Sequence, residues 1–306
     1  MGNRIYYAVQ QVGIGNATGG SVITIHGLQS VGVTTNFTTV NVQELGQLAI
    51  YDNREENCEV QINLKKVLDG YPLIYTSATA SGGSLSTCAN QQCSVGLSIS
   101  DDVTNTAASS MSCTGLYISS AKYNFNTEGN FEEEVSFIGN HKAWGGASAG
   151  SIIFAGSDKP LSDLGVSRRQ DINISACSLP TGIPANSHIT SISTSVNINR
   201  ESLYKLGKKY PYFRAATFPI ETSTEISINA TSGDGTSVTQ VEILCTKYEN
   251  TSKETITIAT CEGTTIALGS GNRLASVNYS GGDAGGGIVK VSYTYKGYND
   301  FSVTHT

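Results

Sequence analysis

Ser30–Asp52 reads SVGVTTNFTTVNVQELGQLAIYD: an alternating Ser/Thr-rich run, a polar link, then Leu-Gly and a Tyr. Alternation of this kind matches a strand with one buried face. A degenerate copy, SISTSVNINRESLYKLGKKYPYF, stands at Ser191–Phe213. A shift of 161 positions carries Ser30 onto Ser191, Asn36 onto Asn197, Leu45 onto Leu206, Gly46 onto Gly207 and Tyr51 onto Tyr212. A second pair follows in the same order. SAKYNFNTEGNFEEEVSF (Ser120–Phe137) aligns with SVNYSGGDAGGGIVKVSY (Ser276–Tyr293) at a shift of 156. Ser120, Tyr123, Gly129, Val135 and Ser136 then meet Ser276, Tyr279, Gly285, Val291 and Ser292. Two pairs in one order at nearly one spacing point to a duplicated unit, although Ser/Thr/Gly-rich β chains also resemble one another by chance.

Composition agrees with this division. A chain of 306 residues has room for about two domains, and charged residues make up only 14%, with 33 Gly and 6 Pro. It is too apolar for disorder and lacks sustained helical periodicity. The expected fold class is mainly β: two tandem β-barrel or β-sandwich units, each with at most a short helix. The expected boundary places residues 1–155, with an N-terminal arm and a hairpin arm over 47–64, in the first unit and 156–306 in the second. Trp144–Gly165, rich in Gly, Ala and Ser, is the link.

Along the first unit, Arg4–Val12, Ser21–His26 and Val31–Phe37 read as strands. Gln47–Tyr51 and Glu59–Leu64 flank the charged run DNREEN, which reads as the tip of the arm. Lys65–Thr76 is the helical candidate, limited to a turn or two by Gly70 and Pro72. Ser77–Val95 reads as a loop, and Leu116–Phe125 and Glu132–Ile138 as strands. In the second unit the expected strands are Arg168–Ser178 and His188–Asn199, a hairpin of Thr239–Tyr248 with Glu254–Cys261, and Leu274–Tyr279 paired with Ile288–Tyr295.

The formal net charge of −6 and pI of about 5.3 argue against a protein that grips nucleic acid by neutralising phosphates. Seven Cys at irregular spacing, without a CxxC pair, favour reduced thiols over a disulfide framework or a zinc site. Cys88 and Cys93, flanking a loop, are the one plausible bridge. No run approaches a membrane helix and the N-terminus has no signal-type h-region, so the expectation is a soluble chain made in the cytosol, with no membrane insertion.

Catalytic signatures are missing. Gly281–Gly287 lacks the Lys-Ser/Thr ending of a phosphate loop, and Gly145–Ser151 is neither a nucleophile elbow nor a dinucleotide fingerprint. His26, His141, His188 and His305 are dispersed. Glu132, Glu133 and Glu134 cannot converge on one ion, because neighbours on a strand alternate faces. No catalytic, metal-binding or cofactor-binding residue is assigned, and the chain is expected to be neither an enzyme nor a cofactor carrier.

Several segments resemble those of bacteriophage tail tube proteins of the duplicated tube-domain type. They are VNVQELGQLAIYDN (Val40–Asn53), VQINLKKVLDGYPLIY (Val60–Tyr75), SAKYNFNTEGNFEEEVSFIGNHKAW (Ser120–Trp144) and YKLGKKYPYFRAATFPIE (Tyr204–Glu221). Tyr123–Val135 follows Y-x-F-x-x-E-G-x-F-x-E-x-V, similar to the closing hairpin of tube subunits. Together these cover about a quarter of the chain. The second unit departs from the first: a Gly-rich turn replaces its acidic one, and no counterpart of Lys65–Thr76 is recognisable.

The resemblance implies a structural virion protein, a major tail tube subunit whose rings stack into a hollow tube for DNA passage during ejection. It implies three chains per pseudo-sixfold ring. The partners would be further copies, other tail proteins (a sheath if the tail contracts, tape measure, terminator, baseplate) and DNA in non-specific passage. The location would be the virion tail, assembled in host cytoplasm. On this reading an inter-subunit arm uses Tyr51, Asp52, Glu55 and Glu56 of one chain against Lys205, Lys208, Lys209 and Arg214 of a neighbour, and Glu132, Glu133 and Glu134 line the lumen. Two other classes stay open: another β-rich virion component, such as a capsid decoration or baseplate protein, and a carbohydrate-binding adhesin.

Overall fold

The computed structural model describes residues 10–16, 22–79, 84–100, 107–146, 154–155, 165–181, 183, 188–230, 253–281 and 288–305. The fold is mainly β. In chain order the strands are β1 (Gln10–Asn16), β2 (Val22–Thr24), β3 (Leu28–Gln43), β4 (Ile50–Val67), β5 (Cys93–Ser100), β6 (Ala107–Asn126), β7 (Glu132–Gly139), β8 (Ala143–Gly146) and β9 (Phe154–Ala155). They continue with β10 (His188–Asn197), β11 (Arg200–Leu203), β12 (Phe213–Ala216), β13 (Glu221–Asn229), β14 (Thr257–Ala259), β15 (Thr264–Ala267), β16 (Arg273–Ser280), β17 (Lys290–Tyr298) and β18 (Ser302–His305). Two short helices, α1 (Ile74–Ala78) and α2 (Leu85–Cys88), sit in the first half.

Eight strands form one antiparallel layer in the order β3-β4-β7-β6-β10-β13-β17-β16. The first four come from the first half and the last four from the second. The halves therefore do not close as separate barrels: they are joined edge to edge, β6 to β10, from Ser120↔Asn197 to Asn126↔Ser191. The N-terminal part of β6 leaves this layer to pair with β5 and β8, and β5 continues to β1, β2 and β9. A separate sheet, β14-β15-β18, covers part of the second half.

The alternating strands bury one face. Val60, Ile62 and Leu64 of β4, Val135 and Phe137 of β7, Tyr123 and Phe125 of β6, Ile192 and Val196 of β10, Ile226 and Ile228 of β13 and Tyr293 of β17 all belong to a single hydrophobic cluster with the outer strands and α1. At about 25 cal/mol per Å² of apolar area, this cluster is what holds the two halves together. Phe301, just before β18, stacks edge-on to Tyr75 of α1 at 5.3 Å and lies 6.2 Å from Tyr123. The end of the chain is thus packed into the first half.

Several sequence expectations change. Residues 65–67 finish β4, and the helix starts later, at Ile74. Pro72 cannot donate a backbone hydrogen bond and so falls before the helix rather than inside it. The charged run 52–57 lies inside β4, near its start, and the hairpin turns at 44–49 instead. The stretch 168–178 holds a 3₁₀ turn at Arg169–Asp171 and two isolated bridges, not a strand. β14 pairs with β15, while 239–248 lies outside the described residues, as do 4–9 of the first expected strand. Cys88 and Cys93 are both free thiols, the latter pushed up to about 12 by burial.

Candidate functional site

The eight-stranded layer has a second face, and it is open. Many of the residues between the buried ones are small and polar: Gly32 and Thr34 on β3, Ser120 and Asn124 on β6, Ser193 and Ser195 on β10, Ser223 and Ser227 on β13, Ser292 and Thr294 on β17. The charges on this face balance. Glu59, Glu132, Glu134, Glu221 and Glu225 are matched by Lys65, Lys122, Arg273, Lys290 and Lys296. Glu134 stands opposite both Lys65 and Lys122 in the ladder. Lys65 pairs with Glu132 at 2.9 Å and Lys296 with Glu221 at 2.7 Å. The face is concave around the β6–β10 junction, where a polar trough of about 970 Å³ runs between β4, β7, β10 and β13.

Glu132 and Glu134 are on this open face, but Glu133 is not. Its side chain is fully buried, with Oε2 accepting from the Ile74 N–H at 2.7 Å and Oε1 from the Tyr75 N–H at 3.0 Å and the Tyr123 hydroxyl at 2.8 Å. This corrects the expectation that all three glutamates share one surface. Strand alternation sends the middle one inward, where it caps the first turn of α1. Burial raises the Glu133 pKa, and the hydrogen bonds to the Tyr75 and Ile74 amides and to Tyr123 oppose that rise.

Two hairpin arms leave the layer. The distal part of β3–β4 turns through Glu44–Ala49, where the Gln47 N–H donates to the Glu44 carbonyl at 3.2 Å and Gly46 has φ of 91°. β11–β12 turns the same way: the Lys208 N–H donates to the Lys205 carbonyl at 3.3 Å and Gly207 has φ of 81°. A turn with a left-handed third residue favours Gly there, which is the physical content of the Leu-Gly repeat seen in sequence. Leu45, Leu48 and Leu206 project from the two tips, fully exposed.

Some of the acidic and basic arm residues contact one another within the chain. Lys209 lies 3.7 Å from Glu55, and Asn57 donates to the Tyr204 hydroxyl at 2.6 Å. Arg214 is buried and reaches Glu59 at 3.3 Å, Ser202 at 3.1 Å and the Asn140 side-chain oxygen at 2.9 Å. Arg214 is thus a tether at the base of the second arm and not a surface charge. Asp52 lies 3.6 Å from Arg54, Lys205 sits over the Tyr212 ring, and Tyr51 and Glu56 face solvent.

Arg200, which sequence reasoning missed, holds the base of this second arm. Its guanidinium donates to the carbonyls of Ile118, Ala89 and Arg214 and stacks on Tyr117 at 4.8 Å. Burial lowers its pKa to about 10, so it stays charged at neutral pH. An isolated Arg in sequence carries no signal of such a role.

Among the described residues no group of three or more His, Cys, Asp or Glu could hold a metal ion, and no helix is long and apolar enough to cross a membrane. His305 is spent on structure, bridging Thr264 and the Gly70 carbonyl.

The layer ends on β3 and β16. Among the described strands β3 pairs only with β4 and β16 only with β17, so both borders present an unpaired edge. No protein-family model and no curated protein matches this chain. Among solved structures, the tube-terminating cap of an anti-feeding prophage aligns at 10% identity and TM-score 0.37, over 48% of this chain and 93% of the cap. A chain from the extended sheath–tube complex of an extracellular contractile injection system aligns at 12% identity and TM-score 0.36, over 47% of this chain and 92% of its own. At that level of similarity they carry no conclusion about this chain.

Proposed function

We propose that this chain is a structural, non-enzymatic subunit that polymerises into stacked rings around a channel: the major tail tube protein of a phage-like particle, through which DNA passes during ejection. The observation that carries this reading is an eight-stranded antiparallel layer with a polar, charge-balanced open face and both borders unpaired. Unpaired edges are templates for further strands. Because the strand count is even, β3 and β16 run in opposite directions, and rotating one copy about an axis along the strands sets β16 antiparallel to the next copy's β3. Such head-to-tail contacts close as rings.

Three copies would supply a wall of 24 strands, three times the eight of one chain. At about 4.8 Å per strand this gives a circumference of about 115 Å and a diameter of about 37 Å, before strand tilt widens it. Side chains take about 5 Å from each wall, and the remaining bore admits a DNA duplex. A lining of Ser, Thr and Asn with matched Glu and Lys offers phosphates no continuous basic strip to adhere to. The exposed leucines at the arm tips suit contacts with the adjacent ring, since apolar tips of this kind are unusual on a monomer surface. Other tail proteins, including a sheath where one exists, tape measure, terminator and baseplate, are the further partners, and the virion tail is the location. The division into related units, 1–155 and 156–306, belongs to the same proposal.

Electron microscopy of the purified protein tests it. Stacked hollow cylinders are expected, and isolated monomers at all concentrations would reject the reading. Leu45→Asp together with Leu206→Asp is expected to leave the melting temperature unchanged and to abolish stacking.

A further inference from the structure

The chain already contains one copy of the junction it needs for assembly. The layer reads as two quartets of the same order, β3-β4-β7-β6 and β10-β13-β17-β16. Their irregularities coincide. The β3–β4 ladder slips between Leu28 and Ser30, and the β10–β13 ladder between Ile189 and Ser191, at the same shift of 161. The β6–β7 ladder slips between Ile118 and Ser120, and the β16–β17 ladder between Leu274 and Ser276, at the same shift of 156. Bulges mark register, so β10 is equivalent to β3, and β16 to β6, residue by residue. The last strand is the exception to the sequence alignment: Val135, facing Ala121, corresponds to Tyr293, facing Val277, and not to Val291.

The β6–β10 pairing inside the chain thus has a counterpart that the single chain leaves unmade, β16 against β3. Burial marks the gap. Tyr123 of β6 is fully buried at the internal junction, whereas its equivalent, Tyr279 of β16, is 56% exposed. Ile198, whose N–H donates to the Ser119 carbonyl just beyond β10, is 4% exposed, whereas its equivalent, Phe37, is 67% exposed. Apolar side chains at matching positions are covered on one side and bare on the other, and a second copy of the chain carries the strand that covers them.

We infer that β16 of one copy pairs antiparallel with β3 of the next in the register of the internal junction. Ser276 then faces Asn36, Val277 faces Thr35, Asn278 faces Thr34, Tyr279 faces Val33 and Ser280 faces Gly32. The pairing places Tyr279 and Val277 on the buried face and Asn278 and Thr34 on the polar one. This rests on the ring-forming reading above and adds the register to it.

Disulfide trapping tests it with the full chain. Thr34→Cys with Asn278→Cys puts two thiols directly opposite one another on the exposed face. Opposed Cβ atoms lie within about 5.5 Å, near the reach of a disulfide, while a two-residue offset puts them about 7 Å apart. Thr34→Cys with Ser276→Cys is the offset control, and the parent chain gives the background from its native thiols. Mild oxidation of assembled particles is expected to produce reducible multiples of the 32.2 kDa chain, roughly tenfold more in the in-register variant than in the offset one. Amide exchange at 31–36 and 276–281 is expected to slow on assembly. Rings that form but cross-link equally or better in the offset variant overturn the register and leave the tube reading standing. A folded parent chain that never assembles, judged by microscopy, overturns both.

Discussion

Glu133 shows how one residue changes meaning between sequence and structure. In the run Glu132–Glu134 it looks like a third surface charge, yet it is the acceptor for two backbone amides and a tyrosine hydroxyl under the sheet. Removing it by Glu133→Ala strands all three donors in a dry site, for an expected loss of about 3 kcal/mol in thermal or denaturant unfolding. Its titration has a definite sign. Burial raises the folded value above the ordinary 4.5, so its contribution to stability is complete below 4.5 and is lost as pH rises through the raised value. Glu133→Gln does not titrate. The stability difference between the two proteins should therefore move in the variant's favour as pH rises from about 4.5, with Tm measured at each pH; parallel curves would contradict this. Nearby, Lys66 is equally buried and pairs with Asp69 at 2.7 Å, another charge that the alternation of β4 sends inward.

The arms are the elements whose role the structure revises most. Their opposite charges come into contact across two hairpins of the molecule, through Lys209–Glu55 and the buried contacts of Arg214. Docking the arms together leaves the leucine tips as their outward feature. Arg214→Ala should release the second arm from β4 and cost about 2 kcal/mol, less than a fully buried pair because Glu59 keeps contact with water. Amide exchange should then accelerate over 200–216 while β13 and β17 keep their protection; uniform acceleration would mean that Arg214 supports the whole layer. The Leu-Gly repeat coincides with the tips because a left-handed turn position favours Gly, although the charge of DNREEN drew the expected tip to 52–57 instead. The displaced helix was less legible, since five residues whose own N-cap, Leu73, makes no side-chain hydrogen bond carry almost no periodic signal, and α1 is held by Glu133 and the core.

At the scale of the molecule, the layer runs continuously from β3 to β16, and the proposed assembly completes it. Equivalent tyrosines make this measurable. In the unassembled chain Tyr123→Ala should destabilise by about 3–5 kcal/mol, as expected for a large buried aromatic. Tyr279→Ala should change stability by less than about 0.5 kcal/mol, as at an exposed site, yet should weaken ring formation seen by light scattering. Equal effects on monomer stability would show that the two positions are not counterparts.

Period-two alternation was enough to determine a mainly β protein, because side-chain direction along a strand follows from residue count alone. The Ser/Thr/Asn character of the open face is likewise written in the alternating positions. Tertiary structure alone decided that the halves share one sheet, that Glu133 and Arg214 are buried, and that the arms contact each other. Those outcomes depend on which strand edges meet, and backbone edges carry the same donors and acceptors whatever the side chains spell.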